Sequence, residues 1–259
     1  MRVLILTSKR KGTASRCLPI LHKNSAFKVV GVICAQGAGG NRVAQVRRKV
    51  RKILKIGLLG ALNGIRMRKW YQGFAEDIED VCQNCDVPFY EVSSLNGDET
   101  VALFERLRPQ LGVSLGNGFI SPRIFTLPEL GMINMHSEIL PAYQNAQSII
   151  WPIFKNDPYT GFTVHEIVRE IDAGKILYQK KIPITFCSCI EDTVRTTKAM
   201  VDAEIPAGVA YVCEHIVELK ARARPQTGGA RYTTPSIFQF VRMVLNNRKF
   251  YQLRSCAHE

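Results

Sequence analysis

Asn134 and His136 stand two residues apart in Gly131-Met132-Ile133-Asn134-Met135-His136, at the end of an apolar, strand-like run. Alternation along a strand turns both side chains to one face. Asp172 follows later, in the turn Arg169-Glu170-Ile171-Asp172-Ala173-Gly174-Lys175 between two further strand-like runs, from which a carboxylate can reach back over the same sheet edge. An amide, an imidazole and a carboxylate so placed suit attack by an amine on a carbonyl. Asn and protonated His stabilise the oxyanion, while Asp orients or charges the His and helps to move protons. By spacing alone the set is weak, because a histidine at a strand end is commonly a satisfied structural residue.

The surrounding pattern supplies elements able to hold such a set. Val3 to Thr7 and Lys28 to Ala35 read as buried strands with a helix between them, and this order implies a parallel sheet. The spacing then predicts a helix over Phe74 to Cys85, a strand over Val87 to Val92, and a helix from Asp98, as N-cap, to Leu107. Strands are expected at Gln110 to Gly116 and Met132 to Met135, and a helix from Ser148 to Lys155. Further strands are expected at Thr160 to Val168 and Lys175 to Ile184. Beyond them come a long helix from Glu191 to Lys220 and a basic helix over Ile237 to Leu245. The fold class is therefore α/β, a Rossmann-like, mostly parallel twisted sheet with helices on both faces, over residues 1–185. A mainly helical extension, 186–259, is expected to pack on it. The loop Gly116-Asn117-Gly118-Phe119-Ile120-Ser121-Pro122 lies at the carboxyl end of a strand, where ligands bind in open parallel sheets. The loop after the first strand, Ser8 to Gly12, lacks GxGxxG, so a dinucleotide cofactor is not supported.

Composition narrows the partners. The 259 residues, 46% hydrophobic and 22% charged, describe a globular chain with a sizeable core, and a net charge of +13 points to anionic partners. Residues 41–69 hold ten basic and no acidic residues, with Val46, Val50, Ile53, Leu54 and Ile56 near helical spacing. An amphipathic basic helix followed by a looser Gly-containing stretch is expected there. It would either dock on an anionic membrane surface or RNA, or pack on the domain with a solvated basic face. The eight cysteines lack paired zinc spacing, and no metal is expected. The short apolar N-terminus does not form a signal sequence and no run approaches a membrane span, so the expected compartment is the cytoplasm, with a peripheral position at the inner membrane face as an extension of the basic segment. His165 and Glu166 point to opposite sides of their strand, and His165 is expected to be structural.

From about Gly112 to Ile184 the chain resembles the catalytic domain of the folate-dependent formyltransferases. The matching pieces are Asn134-Met135-His136, Ile139-Leu140-Pro141, Thr160-Gly161-Phe162-Thr163-Val164 and Ile171-Asp172-Ala173-Gly174-Lys175-Ile176-Leu177, in that order. The resemblance implies binding of 10-formyltetrahydrofolate and transfer of its formyl group to a primary amine. It implies that Asn134 and His136 bind the oxyanion and that Asp172 accepts or relays the amine proton. It further implies a pterin against Gly116, Asn117, Gly118, Phe119 and Ile120, with main-chain contacts near Ile171 and Gly174. The chain departs from the family pattern after Pro141, where Ala142-Tyr143 continues into Gln144-Asn145 instead of an Arg-Gly pair.

The amine is expected to be that of a nucleotide-linked amino sugar for N-formylated surface polysaccharide. Lys9, Arg10 and Lys11 are the candidate phosphate contacts, and Tyr143 and Gln147, just after the turn, are candidate substrate contacts. Methionyl-tRNA and glycinamide ribonucleotide are the alternative amines. The 75 residues after Ile184 read as helix, not as an evenly stranded tRNA-binding barrel, so a nucleic-acid partner is not expected. A different class of function would be an inactive basic module on membrane or RNA. A homodimer is compatible with the sequence.

Overall fold

A computed structural model describes residues 1–35, 42–73, 75–145 and 147–255. Asn41, at the start of the basic segment, Phe74, at the expected start of a helix, and Cys256 lie outside the described residues.

Among the described residues seven strands form one sheet: β1 (Arg2–Thr7), β2 (Lys28–Ala35), β3 (Phe89–Val92), β4 (Leu111–Ser114), β5 (Met132–His136), β6 (Tyr159–Glu166) and β7 (Ile176–Pro183). Their order is β3-β2-β1-β4-β5-β6-β7. The first five pair in parallel, whereas β6 runs antiparallel to β5, and β7 antiparallel to β6. The parallel strands read as unbroken apolar runs because helices cover both faces. On one face lie α1 (Thr13–His22), α3 (Ile78–Asn84) and α7 (Ile190–Glu214), sharing a core with Val3, Ile5, Val32, Val113 and Ile133. On the other, α4 (Asp98–Leu107) and α5 (Pro122–Phe125) pack through Phe104 and Ile124 against Leu4, Leu6 and Ile33. A third cluster joins α6 (Ile150–Phe154) to α9 (Ile237–Ser255), the end of α2 (Arg42–Arg68) and the turn after it through Met67, Trp70, Trp151, Phe240 and Met243. The remaining helix is α8 (Ile216–Arg222).

Four expectations are corrected. The segment expected to loosen after the first basic turns is helical to Arg68, its break confined to Gly57, whose φ of 75° and ψ of 163° are left-handed and extended. Gly60 and Gly64 then let the helix approach Pro235, Ser236 and Thr234 closely, which is why glycines there do not unwind it. Asp98 is the first helical residue, not the cap; Gly97 occupies that position, and the carboxylate lies in the first turn where the helix dipole favours it. The long helix from Glu191 divides at His215, whose φ of −106° and ψ of 20° leave helical geometry. The C-terminal helix runs on to Ser255, carried by Met243, Asn247 and Phe250 on its inner face.

Candidate active site

The reversal of strand direction at β5 assembles the site. Ser114 of β4 pairs with Asn134, and Asn134 pairs across the antiparallel side with His165 of β6, so three polar side chains line up on adjacent strands. Each hydrogen bond fixes the next. Asn117 donates from Nδ2 to the Leu6 carbonyl at 2.7 Å and to Ser114 Oγ at 3.0 Å. Ser114 in turn donates to Asn134 Oδ1 at 2.9 Å. With Oδ1 occupied, the amide nitrogen of Asn134 faces Nε2 of His165 at 3.2 Å.

The tautomer of His165 follows from its other nitrogen. Nδ1 lies 2.8 Å from the Glu166 carbonyl, which can only accept, so Nδ1 carries the proton and a neutral ring leaves Nε2 as acceptor for Asn134. Desolvation is the largest influence on this buried ring and lowers its pKa, which favours that neutral form. One N–H of the Asn134 amide is thereby used by His165, and the other is left for the cavity.

His136 is held in the opposite sense. Its Nε2 lies 2.9 Å from the carbonyl of Tyr143, so Nε2 carries a proton, and Nδ1 faces Asp172 Oδ2 at 3.6 Å. Asp172 Oδ1 is 3.7 Å from His165 Nε2. The carboxylate thus stands between two imidazoles, with its side chain and that of His136 only 10% and 12% exposed. With Nε2 turned to Tyr143, the other ring nitrogen of His136 faces the carboxylate, a geometry in which an imidazole and a carboxylate can pass a proton.

Asp172 is placed by the residues at which the family pattern breaks off. Asn145 donates its backbone N–H to Asp172 Oδ2 at 3.0 Å, and Gln144 donates from Nε2 to the Asp172 carbonyl at 3.4 Å. Gln144 also pairs with the 230–232 loop, accepting from Tyr232 N and donating to the Ala230 carbonyl. Asp172 itself has a φ of 55°, a left-handed conformation that Asp and Asn tolerate better than other side chains. Ala146, next in that stretch, lies outside the described residues.

A cavity of about 960 Å³ opens over these groups. Its lining includes Asn134, His136 and Asp172, the predicted loop residues Gly116, Asn117, Gly118, Phe119 and Ile120, and Ile171, Lys9, Lys11 and Gln147. Phe119 is half exposed, a flat apolar face at the mouth. Gly116 has a φ of 81°, so a glycine suits that turn. Among the described residues Gln147 Oε1 is buried and meets no hydrogen-bond partner, an acceptor available to a ligand donor.

Three predicted residues do not line the cavity. Arg10 ion-pairs with Asp77, Glu79 and Glu91, and its hydrogen bonds to Asp77 and Glu79 raise its pKa, so its charge is engaged in tying the first loop to α3 and β3. Tyr143 is buried, its hydroxyl donating to Asp157 at 3.2 Å; only its carbonyl serves the site, through His136. Gly174 packs so closely that a Cβ would fall 1.9 Å from the Glu166 carbonyl, and its own carbonyl accepts from Gln226 at 2.7 Å.

Sequence reasoning missed Ser114, His165, Arg68, Tyr71 and Glu138. Ser114 is a polar residue in an otherwise apolar strand, a signal that pointed inward. Arg68 and Tyr71 come from the end of the basic helix and the turn after it, yet line the cavity beside Gly12, Thr13 and Arg16 of α1. α1 follows its N-cap Gly12 with no side-chain cap among the described residues and no acid in its first turn, so its first N–H groups suit an anion. Glu138 is wholly buried and accepts from Ile149 N at 2.5 Å, Thr160 Oγ1 at 2.7 Å and Ile139 N at 3.2 Å. Burial pushes its carboxyl up to about 8 against those three donors.

Comparison with known proteins gives consistent results. A family model described as formyl transferase matches residues 1–206. The methionyl-tRNA formyltransferase of Thermodesulfovibrio yellowstonii is 28% identical over 162 residues, covering 61% of this chain and 50% of that protein. The chain therefore matches about half the length of that curated relative. Among solved structures, phosphoribosylglycinamide formyltransferase from Bacillus halodurans superposes with a TM-score of 0.58 at 16% identity, over 84% of this chain and 95% of the other. WlaRD, a sugar 3N-formyl transferase solved with dTDP and 5-N-formyl-THF, gives a TM-score of 0.52 at 15% identity, over 90% and 69%. At those identities the likeness is one of fold.

Proposed function

The chain belongs to the formyl transferase family, and from that premise we propose that it moves a formyl group from 10-formyltetrahydrofolate to the primary amine of a nucleotide-linked amino sugar. The observation that carries this reading is the composition of one cavity, which joins Asn134, His136 and Asp172 to Lys9, Lys11 and Arg68 near the uncapped start of α1. The residues fit a folate: the Gly116 to Ile120 loop and Ile171 offer small and flat surfaces for a pterin, and Gln147 Oε1 offers an acceptor. That cosubstrate supplies a formyl carbon open to nucleophilic attack.

The chain's own groups do the rest. The free N–H of Asn134, held by Ser114 and His165, and a protonated His136 stabilise the negative charge that develops on the formyl oxygen. Asp172, paired with His136, accepts the proton the amine loses as the new C–N bond forms. The same proton is then available to the nitrogen that leaves. Lys9, Lys11, Arg68 and the N–H groups at Gly12 and Thr13 hold the phosphates of the acceptor. The proposed setting is cytoplasmic, peripheral to an anionic membrane.

A methionyl-tRNA amine is the second reading, favoured by the curated relative the chain matches. Purified protein with 10-formyltetrahydrofolate, offered a panel of nucleotide-linked amino sugars, glycinamide ribonucleotide and Met-tRNA, separates the readings. Turnover on an amino sugar is the expected result, and formylation of Met-tRNA with none of the sugars overturns it.

A further inference from the structure

α2 and α9 pack on each other with opposite faces doing different work. Inward, Met67 and Met243 are fully buried, and Trp70 and Phe240 meet at 6.0 Å between ring centroids. Outward, the helices carry a second apolar stripe with nothing over it among the described residues. Leu58, Leu62 and Ile65, at helical spacing on α2, are 65%, 55% and 58% exposed. Phe238, Val241 and Leu245 repeat the pattern on α9, with Phe238 85% exposed. A single solvated basic face does not require a row of bare leucines, because each costs free energy in water.

The charge beside these stripes is of one sign. Residues 42–69 contain ten Lys and Arg and 237–255 contain four, and neither segment has an acidic residue. Arg47 and Arg51 are exposed on the first half of α2, together with Val46, Val50 and Leu54. Among the described residues no helix is long and apolar enough to cross a membrane.

We propose that α2 and α9 together form a docking surface for an anionic lipid bilayer, aliphatic side chains entering the interface and the cations meeting lipid headgroups. Amphipathic basic helices bind in this way, by buried apolar area plus attraction to anionic lipid. A second copy of this chain would set like charge against like charge across the contact. RNA would engage the cations but gain little from the exposed leucines, since phosphate contacts dominate such binding.

Flotation of the full chain with vesicles of phosphatidylcholine alone, or containing phosphatidylglycerol, tests the surface. Binding is expected on the anionic vesicles only, falling as salt is raised. L58Q/L62Q and, separately, F238Q/L245Q are each expected to weaken it by about tenfold or more, given ~0.8 kcal/mol for each methylene buried in lipid. Should either pair fail to fold by circular dichroism, R47Q/R51Q alters only exposed cations and is expected to weaken binding about fivefold per charge. Equal partition onto both vesicle types, or binding unchanged in the folded variants, overturns the proposal. So does a concentration-dependent dimer that the leucine variants dissolve, or RNA binding tighter than vesicle binding that they leave intact.

Discussion

Across the β5–β6 pair, the Asn134 amide nitrogen stands 3.2 Å from His165 Nε2, while the far side of that imidazole is closed by the Glu166 carbonyl. His165 lines the cavity, but both its ring nitrogens are engaged, so it acts as a positioning residue that turns the Asn134 amide. His165→Ala is expected to lower kcat by about 10², the cost of a small misplacement of a stabilising group, with little change in KM. His165→Gln, whose Oε1 can accept from Asn134, should recover part of that loss. Because the fold lowers the pKa of His165, the unfolded chain takes up a proton more readily, and stability is lost as pH falls through about 6.5, the ordinary histidine value. Thermal melts at pH 7.5 and pH 5 should show a smaller drop for His165→Gln than for the parent chain.

Asp172, the proposed proton acceptor, has a left-handed backbone. Asn tolerates that backbone, so Asp172→Asn should melt close to the parent while turnover falls by about 10²–10⁴, the usual worth of general acid–base catalysis. Asp172→Ala adds backbone strain and should lower the melting temperature as well. Single-turnover formyl transfer and calorimetry separate the two effects.

The basic first loop divides into two roles. Lys9→Ala and Lys11→Ala should raise KM for a phosphate-bearing amine severalfold, because both line the cavity. Arg10→Ala should leave that KM unchanged and instead make stability more sensitive to salt, since it leaves Asp77, Glu79 and Glu91 without their common cation. A rise in KM with Arg10→Ala would place the guanidinium on the substrate.

Glu138 makes stability depend on pH in the opposite sense from His165. Its carboxyl is held near 8 in the fold, against about 4.3 in an unfolded chain, so the native state binds the extra proton between those values. The stability it contributes is present below about pH 4.3 and is lost as pH rises toward 8. Glu138→Gln, neutral throughout, should flatten the fall in melting temperature between pH 5 and pH 8.

Much of the fold was legible because its signals are local. β2 and the end of α4 follow from apolar runs and periodicity, and Asn134 with His136 from alternation on one strand. Asp172 was legible from its turn as a candidate and gained weight from the family resemblance, but the contacts that hold it, from Gln144 and Asn145, lie far off in sequence and were not. His165 was read as structural because nothing near it shows that the sheet reverses direction at β5, and that reversal alone sets it opposite Asn134. Arg10 misled for a related reason: three carboxylates reach it from two elements 67 to 81 positions away. Gly57 stops a helix for one residue, which composition cannot tell from ending it.

The two walls of the cavity are held by different means. One is woven from adjacent sheet strands, where a one-residue slip would turn Asn134 away from His165. The other, Arg68 to Gly73, hangs at the end of a helix spliced between β2 and β3, outside the register of any strand. On the proposed function, changes on that second wall would retune which amine is accepted while Asn134, His136 and Asp172 stay in place.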